Sequence, residues 1–180
     1  MLRVLIGSIL AAVAMFLIGF IAYGTPLMKL GYATATPAVQ LDVQAALKAL
    51  PGTGTYVIPA GETTETTAAF ANGPVAVIGY NAGGFAMVDG TVMLTGFIHM
   101  LLTCLLIGAV LYGVRRRIPD SGERLKLVFG IAAIGAIFIN LASPIWFHTD
   151  WRNALYLGGV NFISLAVAGV ILAKWFVPKG

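Results

Sequence analysis

The chain has 180 residues, of which 59% are hydrophobic and 10% charged, and its 11 basic and 7 acidic residues give a net charge of +4. With a mean hydropathy of +0.92, this composition leaves too little polar surface for a water-soluble globule of this length, so it predicts a protein surrounded mainly by lipid. The basic residues cluster at the ends of apolar segments, which argues against a nucleic-acid-binding stripe. Cys104 is the only cysteine, which excludes an intramolecular disulfide and a cysteine-based zinc site.

Four long apolar stretches lie between Val4 and Lys174 and predict four membrane-spanning helices, because about 20 apolar residues cross about 30 Å of hydrocarbon. The fold class is therefore an all-α membrane protein, a four-transmembrane-helix bundle with a small α/β extracytoplasmic cap inserted between helices 1 and 2. An alternative for the first stretch is a signal peptide, but the stretch exceeds the usual apolar length of about 7 to 15 residues. The predicted order is helix 1 (1–23), cap (24–90), helix 2 (91–114), basic loop (115–126), helix 3 (127–147), outer loop (148–152), helix 4 (153–174) and tail (175–180).

The distribution of charge predicts how these helices are oriented. If the four helices alternate in direction, Arg3, the basic loop, Lys174 and Lys179 share one side, which then holds 8 of the 11 basic residues. Basic residues favour the cytoplasmic side of a membrane. We therefore expect both termini in the cytoplasm, a bacterial inner membrane as the location, and residues 24–90 in the periplasm or outside the cell.

The cap has sequence patterns of its own. Apolar residues at helical spacing follow Pro37 and stop at Pro51 and Gly52, which predicts a short helix. Residues 55–58 and 75–80 have the composition of strands and flank a short helix over 63–72. This order predicts a compact crossover that places two strands side by side. Two strands bury little surface, so we expect the cap to rest on the transmembrane helices or on a partner.

Three polar side chains lie at a similar predicted depth. His99, Asn140 and Asn161 are each roughly 10 to 12 Å from the outer surface. Polar groups that face hydrocarbon are left unpaired, so we expect all three to face the bundle interior. One interpretation is adhesion between helices, at about 1 kcal/mol or less per hydrogen bond. The other is a cofactor-binding pocket, completed by Tyr156, for a quinone or a haem; a haem held by two histidines is disfavoured because His148 lies beyond helix 3.

A second candidate site lies at the outer ends of the helices. Asp89, His148 and Asp150 offer two carboxylates and an imidazole, a set that suits a hard or borderline metal ion. The alternative is electrostatic docking, in which Asp150 and Arg152 pair with charges on the cap. Exposed pairs of this kind contribute about 0 to 1 kcal/mol, so they would orient the cap more than stabilise it.

The sequence contains no recognisable catalytic motif: no serine-nucleophile elbow, no zinc-binding His-Glu-x-x-His helix and no paired intramembrane carboxylates. We therefore expect a noncatalytic multi-pass subunit or accessory scaffold protein of a larger membrane complex, with the lipid bilayer and other membrane subunits or further copies of itself as partners. The alternatives are the quinone- or haem-binding redox module and, with less support, the outer-face metal-binding protein. Docking is predicted through the cap and through small residues spaced for close helix packing, namely Gly7 with Ala11, Ala132 with Ala136, and Ser164 with Ala168.

Overall fold

The computed structural model describes residues 1–178, which divide into two units: residues 1–33 with 90–178, and residues 34–89. The predicted tail ends in Lys179 and Gly180, which lie outside the described residues. A 3₁₀ turn over Pro26–Leu30 follows the first helix, and a π-helical turn over Leu172–Phe176 follows the last. The regular elements are α1 (Leu2–Gly24), α2 (Pro37–Leu47), β1 (Gly54–Ile58), α3 (Thr64–Asn72), β2 (Ala76–Tyr80), α4 (Gly90–Val114), α5 (Ser121–Asn140), α6 (Ala142–Phe147) and α7 (Trp151–Ile171).

The first unit, which we call the membrane unit, contains four helical segments long and apolar enough to cross a bilayer. They are α1, α4, α5 continued by α6, and α7 continued by the π-helical turn. The predicted multi-pass membrane class is therefore confirmed. The boundaries of α1 and α4 lie within one residue of those predicted.

The third membrane segment ends at Phe147 as predicted but differs from its prediction at its start and in its interior. Its helix begins at Ser121 rather than at residue 127, because the Asp120 carboxylate caps the new helix by accepting a hydrogen bond from Glu123 N at 2.9 Å. The segment is also interrupted at Leu141, between α5 and α6. Pro144 has no backbone N–H to donate to Asn140 O, so the helical ladder breaks one turn before the proline.

The four segments do not pack in the order of the sequence. Within the described residues, α1 packs against both α4 and α7, and α7 packs against both α1 and α5, whereas α4 and α5 do not form a packed pair. The core between α1 and α4 contains Ala11, Met15 and Cys104, and the Sγ of Cys104 lies 3.4 Å from the Sδ of Met15. Ser8 Oγ shares its one O–H between Val4 O at 2.9 Å and Cys104 O at 3.2 Å, which satisfies the donor in the buried interface.

Hydrogen bonds identify the residues at each end of the membrane unit. Arg3 donates to Trp175 O at 3.3 Å, and Arg124 donates to the carbonyls of Val177 and Pro178. The start of α1, the basic loop and the end of the last segment therefore lie together, and we call this the basic end. At the opposite end, Asn153 Nδ2 donates to Gly31 O at 2.9 Å.

The small-residue pairs predicted to dock helices are used inside this chain. A Cβ added to Gly7 would overlap Phe176, and Ala11, Ala132, Ala136, Ser164 and Ala168 are all buried. Small side chains allow helix backbones to approach closely, which explains their position between the packed helices. These pairs are therefore not free for contacts with another chain.

The second unit, residues 34–89, which we call the inserted unit, contains the predicted short helices and a two-stranded sheet. Thr36 caps α2, and Thr63 with Thr66 forms a capping box on α3. The predicted crossover is wrong, because β1 and β2 are antiparallel, with Ile58 opposite Ala76. The chain therefore returns to the end of β1 that it left, and Gly73, at φ +68°, turns it after α3.

Candidate functional site

Asn140 and Asn161 are the only two of the four predicted cofactor-binding residues joined by a hydrogen bond within the described residues. Asn161 Nδ2 on α7 donates to Asn140 Oδ1 at the end of α5 at 3.2 Å. Asn140 Nδ2 in turn donates to Ala136 O at 3.0 Å. The pair therefore joins two neighbouring spans through polar groups, which is the geometry expected for interhelical adhesion.

Tyr156 lies on a different side of α7. Its hydroxyl donates to Ala22 O at 2.6 Å, and its ring contacts Tyr23 edge to face. Tyr156 and Asn161 are five residues apart, which places them about 140° apart around a helix with 3.6 residues per turn. The two side chains therefore serve different interfaces, one with α1 and one with α5.

The His99 side chain points away from α1, the helix against which α4 mainly packs. Cys104, on the packed face of α4, contacts α1, and His99 precedes it by five residues, again about 140° around the helix. The His99 side chain is exposed, and its ring makes no hydrogen bond within the described part of the chain. The expectation that His99 faces the bundle interior is therefore wrong.

The residues of the predicted metal site have separate structural positions. Asp150 caps α7, accepting from Arg152 N at 2.8 Å, and its other carboxylate oxygen lies 3.8 Å from Arg152 Nε. His148 ends α6 in the left-handed region at φ 52°, and Asp89 belongs to the inserted unit. Among the described residues, no three His, Cys, Asp or Glu side chains are grouped so that they could hold a metal ion.

A buried arginine is the main polar feature that the sequence interpretation missed. Arg124 is 1% exposed and donates to Pro119 O, Val177 O and Pro178 O at 3.2 to 3.4 Å. Its Nε has no hydrogen-bond partner, and no carboxylate within the described residues pairs with it. Backbone carbonyls therefore replace a counter-ion in this buried site. The sequence spacing could have indicated this burial, because Arg124 precedes the buried residues Val128 and Ala132 by four and eight residues, which places all three on one face of the helix.

The separation of α4 and α5 leaves an apolar groove between them of about 180 Å³. We call this the α4–α5 groove. Every lining side chain is aliphatic, so the groove suits hydrocarbon and offers no hydrogen-bonding side chain. Its walls are Leu106, Ile107, Val110 and Leu111 of α4 and Leu127, Val128, Ile131 and Ala132 of α5, with Leu165 of α7.

The inserted unit lacks a hydrophobic core. Across residues 34–89, all of which the structure describes, no side chain is buried. Its most exposed apolar segment precedes α4, where Phe85 is 74%, Met87 100% and Val88 75% exposed. Contiguous exposed apolar residues are typical of interaction surfaces. Other large apolar side chains exposed in this unit are Val39, Leu41, Val43, Ile58, Phe70, Val75 and Val77.

The glycine pair of the inserted unit forms a turn. Asn81 Oδ1 accepts from Gly83 N at 3.1 Å, and Gly84 has a φ of +63°. Ala82 N donates to Thr53 Oγ1, which fixes the turn beside the start of β1. A concavity of about 400 Å³ lies between this turn and the end of α2, where Gln44 and Lys48 line it.

No family model, no curated protein and no solved structure matches this chain. The fold defines the class, a multi-pass membrane protein with a small inserted α/β unit. Two features of the described residues bear on its function: the coreless inserted unit and the exposed polar side chains of the spans.

Proposed function

We propose that this chain is a noncatalytic multi-pass subunit or accessory protein of a larger membrane complex. The observation that carries the proposal is the inserted unit, in which no side chain is buried and large apolar side chains remain exposed. A unit of about 55 residues needs buried apolar surface for stability, so contacts outside the unit would supply it.

The membrane spans support the same proposal. His99 is exposed within an apolar span and its ring has no hydrogen-bond partner within the described residues. A donor or acceptor on a partner helix would remove the cost of leaving this ring in hydrocarbon. The small-residue pairs are already buried within the chain, so the proposed span contact uses the outward face of α4 instead.

The proposed orientation places the basic end in the cytoplasm of a bacterial inner membrane. Arg115, Arg116, Arg117 and Lys126 belong to that end, and basic residues are enriched on the cytoplasmic side. Residues 24–90 would then face the periplasm or the cell exterior. The exposed apolar segment 85–88 would then dock a partner on the periplasmic or extracellular side of this membrane.

Purification from native membranes in a mild detergent tests the proposal. We expect the tagged chain to retain a stoichiometric partner or to form a defined homo-oligomer, measured by mass photometry and protein identification. Replacing Phe85 and Met87 with serine should reduce partner recovery about thirty-fold, because two large apolar contacts of roughly 1 kcal/mol each would be lost.

Replacing Asp42 and Glu62 with serine is the matched control, since both residues belong to the inserted unit and are exposed and polar. This control should leave partner recovery unchanged. A stable lone monomer, or full recovery with the Phe85 and Met87 variant, would contradict the proposal. A haem or quinone that co-purifies with the chain and is lost in His99→Ala would favour the redox module instead.

A further inference from the structure

We propose that the α4–α5 groove binds one acyl chain of an anionic phospholipid whose phosphate contacts Arg116 and Arg117. The proposal is independent of any protein partner. It rests on the shape of the groove, on its position relative to the basic loop and on the pairing of the charges in that loop.

The groove is shaped and lined to take a segment of one lipid chain. Its lining on α4 runs from Leu106 to Leu111, five residues or about 8 Å along the helix. This length is about a quarter of the roughly 30 Å hydrocarbon thickness of a bilayer, so the groove would hold a segment of one acyl chain. Because its lining is entirely aliphatic, the groove suits an acyl chain and provides nothing for a polar ligand.

The basic loop begins four residues beyond Leu111, the last groove-lining residue of α4. Residues 115–120 connect α4 to α5, the two helices that form the groove walls. The headgroup of a lipid whose chain lies in the groove therefore comes next to this connection. The position matches that of a phosphate at the membrane surface, where basic residues attract anionic lipids.

The charges of the loop leave two arginines available. Arg115 folds back, with its Nη1 donating to Tyr112 O at 2.6 Å and its guanidinium 3.5 Å from the centre of the Tyr112 ring. Arg116 and Arg117 are exposed and have no carboxylate partner within the described residues.

The acidic residues of the loop are already engaged. Asp120 accepts from Glu123 N at the start of α5. The Glu123 carboxylate pairs with Lys126 at 2.8 Å. Because both carboxylates have partners inside the loop, the exposed guanidinium groups at the groove entrance are complementary to an added phosphate.

Native mass spectrometry of the purified protein tests this site. The protein is incubated with phosphatidylglycerol or with phosphatidylcholine of identical acyl chains, and the retained one-lipid adduct is measured for each. We expect phosphatidylglycerol to be retained roughly ten-fold more than phosphatidylcholine, because two arginines near a phosphate favour the anionic headgroup.

Two variants separate the headgroup from the chain. Arg116→Gln with Arg117→Gln should abolish the preference for phosphatidylglycerol, whereas Lys29→Gln with Lys48→Gln removes the same charge elsewhere and should preserve it. Ile131→Trp, which fills the groove from α5, should remove the adduct. Ile134→Trp, a change at an exposed position outside the groove lining on the same helix, should retain it.

Equal retention of the two lipids by the wild-type protein would overturn the proposal. Retention unaffected by Ile131→Trp would also overturn it, since the lipid would then lie elsewhere. Leu106→Cys cross-linked to a protein from native membranes would identify a polypeptide as the occupant and exclude a lipid. Recovery of a protein partner through segment 85–88 is measured separately, so failure of either proposal leaves the other standing.

Discussion

Gly169 determines how closely α7 approaches α5. The residue is buried, and a Cβ at this position would overlap the side chain of Val128. Glycine is required here by the close approach, because any side chain would force the two helices apart. The same helix contains Gly159, around which a Cβ would meet no atom within 4 Å.

This contrast predicts the effects of two matched substitutions. Gly169→Val should lower the free energy of unfolding by about 1 to 3 kcal/mol more than Gly159→Val, because only the first change overpacks a helix interface. Both variants undergo the same change in helix propensity, so the difference between their free energies of unfolding reports the packing cost alone. Denaturation in detergent, followed by circular dichroism, measures it, and equal stabilities would contradict the assignment.

The residues of the candidate site show what the sequence could predict. Equal depth along the spans correctly indicated that Asn140 and Asn161 are able to meet. Depth gave no information about the direction of a side chain around its helix. His99 and Asn161 were therefore expected in the interior, but both side chains are exposed. Burial of Arg124 was missed because a charged residue beside a basic loop is typical of a solvated surface.

At the scale of helices, α5 and α7 are joined by packing and by the asparagine pair. Asn140→Leu and Asn161→Leu should each destabilise the protein, and a double-mutant cycle should give a coupling energy of about 0.5 to 1 kcal/mol. Denaturation of the single and double variants in the same detergent supplies the four free energies. A coupling energy of zero would show that the 3.2 Å contact contributes nothing to the association of the helices.

The positions of the helices were predictable, whereas their neighbours were not. Apolar length alone placed α1 and α4 within one residue, and Pro144 explains the break in the third segment. The packing order could not be predicted from hydropathy. Lipid chains are as apolar as leucine, so hydropathy does not distinguish the face of a helix that contacts lipid from the face that contacts another helix. The strand positions followed from composition, but antiparallel pairing depends on the turn after α3, which the crossover prediction overlooked.

At the scale of the whole molecule, the proposed orientation predicts which residues are accessible from outside the cell. A cysteine at Thr64 in the inserted unit should react with a membrane-impermeant maleimide on intact cells, whereas a cysteine at Arg116 should react only after permeabilisation. Native Cys104 is fully buried, so the unmodified chain should give no signal and serves as the internal control. Labelling of Arg116→Cys on intact cells would contradict the proposed orientation.

The central positions of α1 and α7 have a consequence for biosynthesis. α1 is made before α4 and α7, against which it packs, and α5 packs mainly against α7, which is made after it. A nascent chain that has released only three spans therefore contains an α5 that still lacks its main neighbour. The carbonyls of Val177 and Pro178 that bind Arg124 arrive later still. The third span must therefore wait in the lipid as an unassembled helix until translation of the fourth is complete.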